Sequence, residues 1–235
     1  MSEAAPTPES DPRALIARTC IRGQGIEIGA LHAPLEVPDS ALVRYVDRLP
    51  VEELRKQYPE LDAFTLVDVD IIDDGEVLRT VADGSQDFVI ANHFLEHCQD
   101  PFGAMKNMLR VLRAGGYLYM ALPDKRFTFD VDHPVTTAEH IMRDFEEGPD
   151  CSRREHFEEW ARLVVKAGDE PAVRESADNL IEIDYSIHFH VWTQVEMLEM
   201  LMAARAILPF ELSVMLKNGI EVIFVLEKLQ LAGYS

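Results

Sequence analysis

Cysteine is scarce in this chain: Cys20, Cys98 and Cys151 stand far apart without CxxC spacing, which argues against a disulfide framework and a cysteine-built zinc cluster. Positive charge is scarce as well. Lys and Arg number 22 against 42 Asp and Glu, for a formal charge of -20, so most of the surface would repel a nucleic-acid backbone or an anionic membrane. No apolar run approaches the ~18 residues a bilayer span requires. Met1 to Pro12 is polar, proline-bearing and acidic, unlike a signal peptide, so a cytoplasmic location is expected. Glycine is short where it would matter for phosphate binding. After Gly25-Ile26-Glu27-Ile28-Gly29 the chain continues Ala30-Leu31-His32-Ala33-Pro34, without the further glycines that let a backbone press against a pyrophosphate. A nucleoside-like ligand without phosphates is expected instead.

What is present reads as an α/β chain. The 47% apolar content can bury one substantial core. Residues 1–12 have the composition of a disordered tail, and 13–235 are expected to form a single domain. Arg13 to Arg18 is helical in character after a start signal at Asp11-Pro12. Strands are predicted at Glu27-Ile28, Val43–Asp47, Leu66–Ile72, Asp87–Ala91 and Tyr117–Leu122. A helix from Pro101 to Leu112 is expected to stop at Ala114-Gly115-Gly116, where glycine can take a left-handed cap. That alternation predicts a parallel sheet with helices on both faces.

From Asp124 to Trp192 the rhythm breaks into charge, histidine and aromatics with no clear strand, which predicts a lid or acceptor-binding insertion over 124–192. Helical period returns at Gln194 to Ile207. Phe210–Lys217 and Ile220–Lys228 then flank Asn218-Gly219, a tight-hairpin signal that closes the sheet with antiparallel strands.

Two strand-end acids, Glu27 and Asp47, lie twenty positions apart, and open α/β sheets bind nucleotide-like ligands at that edge. Together with Asp73-Asp74-Gly75-Glu76, Ser85-Gln86-Asp87-Phe88-Val89-Ile90 and Arg110-Val111-Leu112-Arg113-Ala114-Gly115-Gly116, these segments give the chain its resemblance to class I S-adenosylmethionine-dependent methyltransferases over roughly residues 20 to 123. The resemblance implies a Rossmann-like sheet of seven strands whose last strand is antiparallel, with S-adenosylmethionine as cofactor. It implies Glu27 and Gly29 at the methionine portion, Asp47 on the ribose hydroxyls, Asp74 and Gly75 at the adenine, and Asn92 and His93 near the methionine carboxylate or the methyl group. Leu31 and Ala33 depart from it, standing where the family usually has glycine.

The stretch from Pro123-Asp124-Lys125-Arg126-Phe127 to His140 resembles methyltransferases of bacterial polysaccharide synthesis. Its aromatic faces mixed with acids, arginines and histidines are side chains that grip a carbohydrate. The implied reaction is in-line methylation of a sugar or oligosaccharide hydroxyl, one candidate being a manno-oligosaccharide precursor of a polymethylated polysaccharide. An alcohol must lose its proton, so histidines are the candidate bases, with His140 first and His133 and His188 behind it. His97 is expected to cap or orient the turn after the fourth strand. Asp130, Asp132 and His133 are candidate Mg2+ ligands, against a solvated acidic loop as the plain alternative. Three rival readings remain open: methylation of a phenol, amine or carboxyl group, a nonenzymatic cofactor-binding partner, and, third, a dehydrogenase. The expected partner is a small-molecule acceptor, with neither nucleic acid nor membrane insertion, and the sequence leaves a homodimer open.

Overall fold

Seven strands form one twisted sheet in the computed structural model, which describes residues 11–230. They are β1 (Gly23–Ile28), β2 (Ala41–Asp47), β3 (Ile71–Ile72), β4 (Gln86–Asn92), β5 (Leu112–Pro123), β6 (Phe210–Asn218) and β7 (Glu221–Lys228). Their order is β3-β2-β1-β4-β5-β7-β6, with the short helix α2 (Val51–Gln57) between β2 and β3 in the chain. The first five run parallel, and β7 lies antiparallel between β5 and β6.

Side-chain alternation splits the core between the two faces of the sheet. Val89, Leu118, Met120, Val222 and Phe224 face one layer, packed by α3 (Pro101–Val111) and α7 (Gln194–Arg205). Phe88, Ile90, Tyr119, Ile223 and Val225 face the other, where α1 (Pro12–Cys20) contributes Ala17 and Cys20. Of the expected tail, residues 1–10 lie outside the described residues. Asp11 and Pro12 already start α1, Asp11 accepting from the Arg13 amide and Pro12 standing where a helix needs no donor.

Three expected boundaries are corrected. The strand predicted over Leu66–Ile72 pairs only at Ile71 and Ile72, because upstream the Asp70 carboxylate, 2.8 Å from the Tyr45 amide, takes a donor of β2 and Val67 donates instead to Leu31. The helix predicted to reach Ala114-Gly115-Gly116 ends at Val111, with Leu112 already extended. Gly115, at φ +74, sits in a bulge of β5: Gln86 pairs Leu112 and Phe88 pairs Tyr117, so the intervening residues loop out of the ladder. At the hairpin, Asn218 pairs Glu221, so the two-residue turn is Gly219-Ile220 with Gly219 at φ +57 in its first central position.

Between β5 and α7 the chain builds α4 (Ala138–Glu147), α5 (Asp150–Trp160) and α6 (Glu170–Glu182). Phe157, Trp160, Val173, Ala177, Ile187 and Phe189 give these helices a small core of their own. The segment leaves and rejoins the sheet at one place, a parallel bridge between Asp124 and Trp192.

Candidate functional site

A cleft of about 460 Å³ opens at the carboxyl ends of β1, β2 and β4. The order β2-β1-β4 reverses chain direction across the sheet there, and the diverging connections leave a crevice. Gly29 lines it at the end of β1, Asp47 at the end of β2, Asp74 and Gly75 after β3, and His93 after β4. Five of the seven residues expected at the cofactor thus meet around one space.

Backbone geometry shapes the cleft floor. Gly29 has φ +64, a conformation glycine adopts without a Cβ penalty. Leu31 holds φ +50, so this turn keeps the left-handed backbone of a glycine turn while carrying a leucine into the cleft. A Cβ on Gly75 would lie 2.5 Å from Ile28 Cγ2 and 2.6 Å from Phe94 Cζ, so any other residue there would have to displace one of those side chains at the cleft. Asp73 and Asp74 separate cleanly. The Asp73 carboxylate accepts from the Thr80 amide at 2.6 Å and the Thr80 hydroxyl at 2.7 Å, whereas Asp74 lines the cleft.

Glu27 and Asn92 fall outside the cleft lining. Glu27 is buried and accepts from the Leu35 amide at 2.9 Å, bracing the loop that follows β1; burial pushes its carboxyl up to about 7. The Asn92 amide is buried with neither atom hydrogen-bonded. Asp47 is also raised by burial, against the Arg48 amide that its carboxylate accepts at 2.7 Å.

His93 is held in place by a residue the sequence did not single out. Its Nε2 donates to Glu221 Oε2 at 2.8 Å, and Glu221 also takes Arg13 Nε at 2.7 Å and Asn218 Nδ2 at 2.9 Å. Burial disfavours the Glu221 charge, but the bonds from Arg13 and His93 outweigh it and hold the carboxyl at about 2. His93 itself adopts φ +48, a strained position fixed by its amide bond to the Ala121 carbonyl.

The opposite wall comes from the inter-strand segment: Asp184, Tyr185, Ser186 and Phe189, with His97 and Gln99 beside them. His97 Nδ1 donates to the Ile187 carbonyl at 2.9 Å, so it does more than orient the turn after β4. Burial, reinforced by His188, lowers it to about 3, and the ring stays neutral. Behind it stands His188, ring centroids 4.6 Å apart and edge to face. His188 Nδ1 donates to Asp130 Oδ2 at 2.8 Å. Burial works to lower His188, yet the Asp130 bond and the nearby Glu96 charge raise it above 6.5.

His188 does not itself line the cleft but stands behind His97, and the other two candidate bases lie farther off. His133 is buried against Trp160 with Nε2 unbonded, and burial lowers it. His140 sits on α4 with its Nε2 3.0 Å from His156 Nε2 and 3.1 Å from Asp144 Oδ2, away from the cleft lining. The expected Mg2+ set does not assemble either. Asp130 is committed to His188 and to the Thr128 hydroxyl at 2.8 Å, and Asp132 points into solvent.

A methyltransferase-domain family model matches residues 38–120, from just before β2 through most of β5. Over those residues the chain carries a methyltransferase domain. No curated protein sequence matches it significantly. Among solved structures, a chain of the Haloferax volcanii complex between the Trm112 methyltransferase activator and a candidate methyltransferase is similar at 12% identity and TM-score 0.50, covering 94% of this chain and 90% of that one. A candidate Zn-dependent alcohol dehydrogenase from Rhodobacter sphaeroides is similar at 12% identity and TM-score 0.50, covering 90% and 86%. At such identities the likeness is one of fold, the Rossmann-like seven-stranded sheet with its antiparallel β7.

The cleft of this methyltransferase fits S-adenosylmethionine in chemistry. A carboxylate stands on either side of the cleft, at Asp47 and Asp74, and the Cβ-free Gly75 adjoins the Phe94 ring. Among the described residues no helix is long and apolar enough to cross a membrane.

Proposed function

We propose that this methyltransferase methylates a hydroxyl of a sugar or oligosaccharide, with residues 124–192 holding the acceptor. Bound S-adenosylmethionine supplies an electrophilic sulfonium methyl group. The protein's part would be to align the acceptor hydroxyl with that methyl group and to take up the hydroxyl proton. Asp47 would hold the ribose hydroxyls, Asp74 and Gly75 the adenine, and Gly29 and His93 would sit toward the methionine end. The base we assign is His188, oriented by Asp130 as a proton acceptor needs to be.

The observation that carries this reading is the exposed ring of Phe129. It stands 4.9 Å from His188 and 5.5 Å from Trp160, and His188 in turn abuts His97 on the cleft wall. An exposed aromatic face beside a carboxylate–histidine pair suits a pyranose, which stacks its C–H face and presents a hydroxyl. Gln99, Asp184 and Ser186 add hydrogen-bonding groups to the same wall. A neutral acceptor also agrees with a charge of -20, which would repel nucleic acid.

The test is a methyl-transfer assay over manno-oligosaccharides, other sugars, phenols, amines and carboxylic acids. Transfer to a sugar hydroxyl is expected, with His188→Gln slowing turnover by about 10²–10⁴-fold and leaving S-adenosylhomocysteine affinity unchanged. Preference for a phenol or amine would overturn the acceptor, full activity of His188→Gln would remove the base, and cofactor binding without transfer to any acceptor would support a nonenzymatic partner.

A further inference from the structure

Outside the cleft, three histidines and one aspartate converge from three separate parts of the chain. His140 and Asp144 are one helical turn apart on α4, His156 comes from α5, and His190 from the extended segment before α7. One nitrogen of each ring and one oxygen of Asp144 all lie within 4.8 Å of one another. His190 and Asp144 are fully buried, and the His140 side chain is 25% exposed.

We propose that these four side chains form a binding site for a zinc-like divalent cation that pins α4 and α5 to the segment carrying Phe189. Three imidazoles and one carboxylate are a donor set for zinc, whereas Mg2+ prefers oxygen ligands throughout. The spacings agree with four-coordination. Bonds of about 2.0–2.1 Å put tetrahedral ligand atoms about 3.3 Å apart. Here His140 Nε2 lies 3.0 Å from His156 Nε2 and 3.1 Å from Asp144 Oδ2, and His190 Nε2 lies 3.9 Å from that same oxygen.

Asp144 Oδ2 makes no hydrogen bond despite these neighbours, although the side chain is wholly buried. A buried carboxylate oxygen without a hydrogen bond is costly unless a cation takes it. Its other oxygen is oriented as metal-bound carboxylates usually are, by the Ser152 hydroxyl at 2.7 Å, with Cys151 Sγ at 3.4 Å. His190 Nδ1 is a second buried atom without a partner, whereas Nε2 lies 3.4 Å from the Gln99 carbonyl and must give up that bond to bind metal itself. Arg143 lies beside the cluster, its Nη2 3.2 Å from His140 Nδ1, and it must swing away for that nitrogen to carry the ring proton while Nε2 binds metal.

The role follows from position. Phe189 lines the cleft and packs edge-on to His156 at 5.9 Å, and His190 is the next residue. A cation here would fix the cleft wall without touching the reacting atoms.

The full chain, stripped with chelator and shown folded by circular dichroism, is titrated with Zn2+ in a calorimeter and with Co2+ in a visible spectrometer. One Zn2+ per chain and the d–d bands of tetrahedral Co2+ are expected, together with a chelator-sensitive Tm. The Asp144→Asn/His156→Gln double variant should lose the Co2+ bands, and Ser152→Ala should weaken Zn2+ binding by about 10–100-fold. The variant His188→Gln, in the neighbouring Glu96–His97–His188 group, should keep both signals. No uptake by folded chain, or uptake lost in His188→Gln and kept in Asp144→Asn/His156→Gln, would overturn the site. S-adenosylhomocysteine affinity, measured in parallel, reports on the cofactor cleft separately.

Discussion

At the scale of single residues, the cleft depends on a few atoms with no substitutes. Asp47 stands at the cleft with its charge disfavoured by burial, so a ligand that donates two hydroxyls to it would recover what burial costs. Asp47→Ala should weaken S-adenosylhomocysteine binding by about 10–100-fold, the worth of one or two bonds to a charged acceptor, as read by calorimetry. Gly75→Ala acts through shape instead. The new methyl would collide with Ile28 and Phe94, both of which line the cleft, so one of them must shift. We expect weakened cofactor binding with unchanged circular dichroism, and an affinity equal to wild type would show that no ring lies against residue 75. Glu221 belongs to this scale as well. It escaped sequence reading because its partners, Arg13 and His93, are 208 and 128 positions away.

At the scale of elements, local rules worked where local interactions decide. The Asp11-Pro12 start, the α3 period and the strand alternation all survive in the structure, because caps and periodic faces are written within a few residues. They failed where a partner strand intervenes. Gly115 looks like a helix cap in sequence but serves as the left-handed residue of a bulge, and only the pairing of β4 with β5 reveals it. The hairpin offers a clean measurement, since a Cβ on Gly219 would meet open space and only backbone strain is at stake. Gly219→Ala should cost about 1 kcal/mol in urea unfolding. No change in the midpoint would mean the turn relaxes to another type.

At the scale of the whole molecule, buried carboxyls give the stability a pH profile with two limbs. Glu27 and Glu76 are raised by burial to about 7 from an ordinary 4.5, so the stability they add in the protonated form is complete below 4.5 and is lost as pH rises through 7. Glu221 runs the other way. Lowered to about 2, it contributes above 4.5, and that contribution is lost as pH falls toward 2. Unfolding of wild type against Glu27→Gln from pH 4 to 8 should show a difference growing by roughly 3 kcal/mol in favour of the variant. Glu221→Gln should flatten the acid limb alone. A pH-independent difference in either pair would remove that carboxyl as the cause.

The parallel strands, the closing antiparallel hairpin and the residues Gly29, Asp47, Asp74, Gly75 and His93 that meet in one cleft are legible in the unfolded chain. These follow from short-range patterning, since a residue at the carboxyl end of a parallel strand is carried to the same sheet edge whatever the rest of the chain does. Tertiary structure alone decided which histidines meet. His97 with His188, and His140 with His156 and His190, are joined across helices and loops whose packing no period encodes. The bonds from Thr80 that separate Asp73 from Asp74 are set by packing as well, and so is the burial of Glu27 and of the Asp144 carboxylate. Distances between side chains far apart in sequence are set by how whole elements pack, and the pairings on which proton transfer and metal binding depend are distances of that kind.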